Sequence, residues 1–133
     1  METILIDFDG VLTDGKRYIG TDGSFYSVHS RDNVAIAQLI SEGYRVVIVT
    51  ANNDQTIKEY ARKRKCEYIH SREKDIESDI AIGDSTFDIP MLLKAKRRFC
   101  PNNSHHQVKR LPEMTVLEVN GGEGVIENLL LYL

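Results

Sequence analysis

The chain has 133 residues, 41% hydrophobic and 28% charged, which suits one soluble domain around one core. A formal net charge of −3 gives no basis for a nucleic-acid partner, and the run Leu129–Leu131 is far too short to cross a bilayer, so no membrane role is expected. Cys66 and Cys100 stand far apart without metal-ligand spacing, and Asp7 and Asp9 interrupt the one apolar run near the start; a cytoplasmic protein with reduced thiols and no signal peptide is expected.

In chain order, Thr3–Phe8 reads as a buried strand. Residues 17–28 read as a hairpin with Asp22-Gly23 as its turn. Asn33–Glu42 reads as a helix with Ile36, Leu39 and Ile40 on one face and Gly43 as its stop. Val46–Val49 is a second buried strand. A helix from about Asp54 buries Ile57, Tyr60 and Ala61. Glu67–His70 and Ile80–Ile82 are short strands. Ile89, Leu92 and Leu93 mark a helix that Asp88 can cap, with Pro90 in its first turn. Arg98–Cys100 and Met114–Leu117 are further strands, and Gly124–Leu131 closes the chain as a helix. Apolar strands alternating with amphipathic helices predict an α/β fold. The expected form is a doubly wound, mainly parallel Rossmann-like sheet with helices on both faces and a small β-hairpin inserted after the first strand. The whole chain, 1–133, is expected to be one domain.

In such folds, ligands bind outside the carboxyl ends of the strands. The first strand ends at Asp7, the second at Thr50 and the one after Asp79 at Asp84, so three polar groups are expected to converge. Asp7 and Asp84 form a hard-oxygen pair suited to Mg²⁺, which lets an anionic carboxylate approach an anionic phosphate. Asp7 can then attack phosphorus. Asp9 is close enough to protonate a leaving oxygen and later to activate water. Thr50 can hold a phosphoryl oxygen, and a lysine supplies further positive charge.

DFDGVLTDG, VIVT and GDSTFD resemble three signature motifs of the haloacid dehalogenase superfamily of phosphatases: Asp-x-Asp, Ser/Thr, a Lys, then Gly-Asp-x-x-x-Asp. With RDNVAI and GGEGV, the resemblance extends over the chain to the small capless branch that includes 3-deoxy-manno-octulosonate 8-phosphate phosphatase. It implies Asp7 as nucleophile and metal ligand, and Asp9 as acid/base whose backbone carbonyl binds metal. It implies Thr50 as phosphate ligand, Asp84 as metal ligand and Asp88 as the second acid supporting the metal. Lys74 is the third-motif lysine on its position before the strand ending at Asp84. Only Asp75–Ser78 separate it from that strand, where relatives have a helix, so Lys65 is the alternative. The implied reaction is Mg²⁺-dependent hydrolysis of a phosphorylated sugar or keto-deoxy sugar acid through an aspartyl-phosphate. The implied assembly is a homo-tetramer that buries Tyr18, Phe25 and Tyr26 of the hairpin between subunits. Glu127 stands where relatives often carry an arginine for the substrate carboxylate. Arg31 and Asn52 are the candidate substrate contacts in this chain.

Each motif also has a plainer reading. Asp7 and Asp9 suit turns and caps, Asp88 a helix cap, and Lys74 an exposed charged stretch. Three motifs in order, each after an apolar run, favour the catalytic reading. Arg62–Lys65 reads as a solvated helix end, and His105-His106 as the start of a surface helix. His29 and His70 are expected near strand ends. A receiver domain uses the same residue types in another order: an acidic pair at strand one, the phosphorylated aspartate at strand three, then Thr and Lys. Here the order is Asp-x-Asp, Thr, Lys, Asp, and strand two ends in Thr50. A non-catalytic regulatory domain is the remaining alternative.

Overall fold

In the computed structural model, which describes residues 1–133, Thr3–Asp7 forms β1, buried on both sides. Its parallel neighbours are β4 (Arg45–Thr50) and β6 (Ser78–Ile82). Beyond β4 lies β5 (Glu67–His70). Beyond β6 lie β7 (Ala95–Cys100) and β8 (Met114–Val116). The order β5-β4-β1-β6-β7-β8 is parallel throughout. The two-stranded hairpin, β2 (Tyr18–Gly20) and β3 (Gly23–Phe25), forms a separate antiparallel ribbon. Its strands close on the Gly20–Gly23 pair, so Thr21-Asp22 forms the turn rather than Asp22-Gly23.

The pleat of β1 sends alternate side chains into two cores. Ile4 and Ile6 point to a layer made by α1 (Ser30–Ser41), α2 (Gln55–Lys63) and α5 (Val125–Leu129), packed through Ile36, Leu39, Ile57 and Ile126. Leu5 points the other way, into a smaller cluster built by Met91 and Leu92 of α3 (Ile89–Lys94) and Val108 of α4 (His106–Lys109). The expected helix faces need two corrections. Leu93 is exposed, because α3 turns Met91 and Leu92 inward. The closing helix ends at Leu129 and tightens into a 3₁₀ turn over Leu130–Tyr132. No helix is long and apolar enough to cross a membrane.

Two helix caps come from residues that the sequence did not mark as caps. His29 is not a strand-end group: its Nδ1 accepts the Arg31 N–H at 3.1 Å and starts α1. Asp32, inside the first turn of α1, is fully buried. Its Oδ1 accepts the N–H groups of Ile126 and Glu127, each at 3.0 Å, so one carboxylate caps the start of α5 from across the core. Asp32→Ala leaves one buried and one partly buried donor without this partner and is expected to lower stability by about 1–3 kcal/mol. Urea unfolding should show the loss as a lower midpoint at unchanged slope; an unchanged midpoint would refute this cap.

Candidate active site

β1 lies at the centre of the sheet, where successive connections leave in opposite directions, and its last residue is Asp7. In register, Asp7 pairs with Val49 and Ile6 with Ile82, so Thr50 flanks Asp7 on one side and the Gly83-Asp84 loop flanks it on the other. The predicted convergence of Asp7, Thr50 and Asp84 is therefore observed, at the crevice that the fold class specifies.

Residues 8–12 leave β1 in a distorted helical turn in which Gly10 takes φ +85°. Thr13 Oγ1 accepts the N–H groups of Gly10 (3.2 Å) and Gly15 (3.1 Å), which pins the turn. A Cβ at Gly10 would stand 1.8 Å from Asp84 Oδ2. Glycine is needed there both for the left-handed backbone and for the closeness of Asp84. On the far side, a Cβ at Gly121 would stand 2.0 Å from the Gly10 carbonyl oxygen, so the GGEG segment backs the same turn.

Lys74 joins these acids. It is 2% exposed, and its Nζ lies 2.7 Å from Asp7 Oδ1 and 2.5 Å from Asp88 Oδ1. Its backbone is left-handed (φ +51°), tied by its N–H to Ser71 Oγ at 2.9 Å. That uncommon conformation is sustained by the ion pairs it makes possible. Lys65, the alternative, sits elsewhere. It takes φ +62° just after α2, as a helix-ending residue, and lines a separate groove with Lys63 and Arg64. Residues 71–77 contain no helix, as the short spacing implied.

Asp88 does not cap α3 with its side chain; with Ser85 it forms the capping box of the 3₁₀ turn Thr86–Asp88. Its Oδ2 accepts the N–H groups of Asp84 (2.9 Å) and Ser85 (3.1 Å) while its Oδ1 takes Lys74. Its oxygens are thereby committed to holding the lysine and the Asp84 loop. Thr50, 2% exposed, accepts the Asn52 N–H on Oγ1 at 3.0 Å, which leaves its hydroxyl hydrogen free for another acceptor.

Burial raises the pKa of Asp7 well above the usual carboxylate range. The negative charge of Asp88 adds to this, and Lys74 opposes it. Asp84 is pushed up to about 6, again chiefly by burial. Burial alone would lower Lys74, but Asp7 and Asp88 outweigh it and raise its pKa. Asp9, half-buried, is raised by burial and pulled back by Arg17 and by hydrogen bonding from Asn52.

The acids fit a divalent cation. Asp7, Asp84 and Asp88 each bring an oxygen within 4.8 Å of the others, and Asp84 Oδ1 is buried with no partner. All donors are hard oxygens, which suits Mg²⁺.

A cavity of about 530 Å³ opens over these groups. Asn52 lines it, and so do Arg72, Ser85 and Phe87, which the sequence did not single out. Arg72 lay hidden in a charged run where exposure is the default, and the exposed Phe87 sits between the two acids of a motif read for its acids alone. Arg31 lies outside the cavity, its Nε 3.2 Å from Glu127 Oε2. Arg31 and Glu127 thus pair with each other on the surface. His70 is exposed, its Nε2 3.2 Å from the Ala51 carbonyl, and does not line the cavity.

Residues 67–129, the part that includes Lys74, Asp84 and Asp88, match the family model of haloacid dehalogenase-like hydrolases. The fold is similar to that of a protein from Streptomyces avermitilis MA-4680 assigned to the HAD family of hydrolases (TM-score 0.88, 26% identity, covering 97% of this chain and 82% of that one). It is also similar to cobalt-bound deoxy-D-mannose-octulosonate 8-phosphate phosphatase from Haemophilus influenzae (0.88, 21%, 97% and 84%). A third similar structure is 3-deoxy-D-manno-octulosonate 8-phosphate phosphatase from Moraxella catarrhalis, in complex with magnesium, phosphate and KDO (0.84, 20%, 96% and 82%).

The acid cluster makes stability depend on pH and cation together. With no cation, folding keeps protons on Asp7 and Asp84 that the unfolded chain releases near their ordinary value of 3.8. The folded state then binds more protons, so this cluster's contribution to stability falls as pH rises from about 4 through about 6. A cation takes the place of those protons. The rise in Tm on adding Mg²⁺ over EDTA should therefore be larger at pH 7.5 than at pH 4.5, and Asp84→Asn should shrink it. A Tm indifferent to Mg²⁺ at both pH values would remove the cluster as a cation site.

Proposed function

We propose that this chain is a haloacid dehalogenase-like hydrolase, a Mg²⁺-dependent phosphomonoesterase that works through an aspartyl-phosphate on Asp7; the family model over residues 67–129 and the fold support the reading. The observation that carries the reading is the buried contact of Lys74 with Asp7 Oδ1, made beside an Asp84 oxygen that has no partner. Turn and cap roles do not require a buried lysine held between two acids.

Asp7 Oδ1 is held by Lys74, which leaves Oδ2 to attack phosphorus. The free hydroxyl hydrogen of Thr50 and the charge of Lys74 steady the phosphoryl oxygens. Asp9, its pKa raised by burial, gives its proton to the leaving oxygen as the ester P–O bond breaks and the Asp7–phosphorus bond forms. Asp9, now a carboxylate, takes a proton from water as that water attacks phosphorus, which releases phosphate and restores Asp7. Asp7, Asp84 and the Asp9 carbonyl would hold Mg²⁺, with Asp88 fixing the Asp84 loop. The ion supplies neutralisation of the phosphoryl charge.

The substrate is a small phosphorylated sugar or keto-deoxy sugar acid. The polar cavity, with Arg72 to receive an anionic substituent, supports that class. Arg72 replaces Arg31 as the candidate carboxylate contact, since Arg31 is engaged by Glu127 outside the cavity. The chain acts in the cytoplasm as a homo-tetramer. The exposed Ile19 and Phe25 on the hairpin support such an interface, whereas Tyr26 is turned inward against Phe8.

A panel of phosphorylated sugars, sugar acids and nucleotides, assayed for phosphate release with and without Mg²⁺, tests the reading. Turnover should require Mg²⁺, and Asp7→Asn should reduce it by about a thousandfold or more with the fold retained. No release from any ester, or undiminished turnover by Asp7→Asn, would reject it.

A further inference from the structure

The hairpin carries one group that the chemistry above leaves unused. Tyr26 follows β3, and its ring meets Phe8, the residue between Asp7 and Asp9, edge-on (centroids 5.2 Å apart, planes at 88°). Its hydroxyl donates to Asp54 Oδ2 at 2.6 Å. It accepts from Asn52 Nδ2 at 3.1 Å and from Arg17 Nη2 at 3.0 Å. A phenol oxygen has one hydrogen and two lone pairs, so every direction is filled. Asp54 is itself fixed: its Oδ1 accepts the Thr56 N–H at 2.9 Å and caps α2. Asn52 is held at its backbone by Thr50 Oγ1.

Of the two donors to Tyr26, Asn52 lines the cavity together with Asp9. Burial raises the pKa of Asp9, and Arg17 and Asn52 both pull it down against that burial. Tyr26 does not line the cavity. It stands one hydrogen bond behind Asn52, which does, and its ring packs on Phe8, the chain neighbour of Asp9.

We propose that Tyr26 is a positioning residue for Asp9: by holding Asn52 beside Asp9 in the cavity and by packing on Phe8, it sets the direction in which Asp9 meets the leaving oxygen. The inference rests on the phosphatase reading and assigns the hairpin a share in its acid–base step. Proton transfer is steep in geometry, so a carboxyl free to swing loses rate even when it stays in place on average.

A purely structural clamp and a positioning residue differ in which substrates they affect. 4-Nitrophenolate leaves phosphorus without being protonated, whereas an alkoxide needs the proton of Asp9. Both esters share attack by Asp7 and the support of Thr50 and Lys74. The measurement is kcat/KM, which covers steps through the first P–O cleavage, for 4-nitrophenyl phosphate and for the alkyl phosphate turned over best in the panel, at saturating Mg²⁺. Tyr26→Phe keeps the ring on Phe8 and removes one oxygen. It should lower kcat/KM about tenfold for the alkyl ester and by less than about threefold for the aryl ester. Asn52→Ala, in a loop, reads the same link should the hydroxyl prove necessary for folding, and should show the same selectivity. The double variant should be no worse than the more damaging single one. Equal losses on both esters, no loss, or fully multiplied losses in the double variant would overturn the inference while leaving the phosphatase intact. A wild-type chain that cleaves neither ester would overturn both.

Discussion

The buried ammonium of Lys74, gripped by Asp7 on one side and Asp88 on the other, is the constraint around which the site is arranged. Three carboxylates share that space with one lysine, and two negative charges remain without a protein partner, which is the charge of one divalent cation. An isolated buried carboxylate cannot stay ionised without compensation, and without a cation the cluster relieves itself by holding protons. The same lysine relieves Asp7 of only one oxygen. The site thus combines what a nucleophilic carboxylate needs, a fixed orientation and a free oxygen, with what a cation site needs, an excess of hard anionic donors.

The architecture delivers this charge cluster through backbone positions that tolerate little change. Asp7 and Thr50 are the last residues of adjacent strands, so their spacing is that of the sheet ladder. Asp84 arrives from the other side of β1 and is held by Asp88 through the N–H groups of residues 84 and 85. Gly10 gives up its side chain so that Asp84 can come close, and Gly121 supports the Gly10 turn from behind. The hairpin enters the same structure through Tyr26, which ties the segment after β1 to the loop after β4.

Much of this was legible in the sequence because the relevant signals are local. Apolar runs ending in Asp7, Thr50 and Asp84 give both the strands and the crevice, since strand ends in a parallel sheet share one side. Residues whose roles depend on distant partners were not legible. His29 precedes α1 as an unusual cap, Asp32 caps a helix 94 residues away, and Tyr26 finds Asp54 across 28 residues. Arg31 was read alone as a substrate contact and Glu127 alone as a departure from relatives, and only the folded chain shows them paired. Arg72 carried no signal, because a charged run looks alike whether it faces solvent or a cavity.

The segment between β5 and β6 explains how Lys74 reaches the site with no helix before β6. Parallel strands are usually joined through a helix, but a helix advances only about 1.5 Å per residue. From the register, the path from His70 to Ser78 runs back along the sheet by about six residues and sideways past β4 and β1, about 20 Å and about 14 Å, or about 24 Å in all. Eight Cα steps span about 26 Å when nearly extended. A helical crossover of that length would fall short, so the chain must cross as a stretched strap, and Lys74 lies at its midpoint. Ile76 of the strap packs on the cluster around Leu5, Val47 and Val49, covering sheet surface that a helix would otherwise cover. The single left-handed residue in the strap is Lys74 itself, where the bend turns its side chain under the carboxyl end of β1. The missing helix therefore does not loosen the lysine. A nearly taut connection leaves it few other places to be, and its two ion pairs hold the bend that the short path requires.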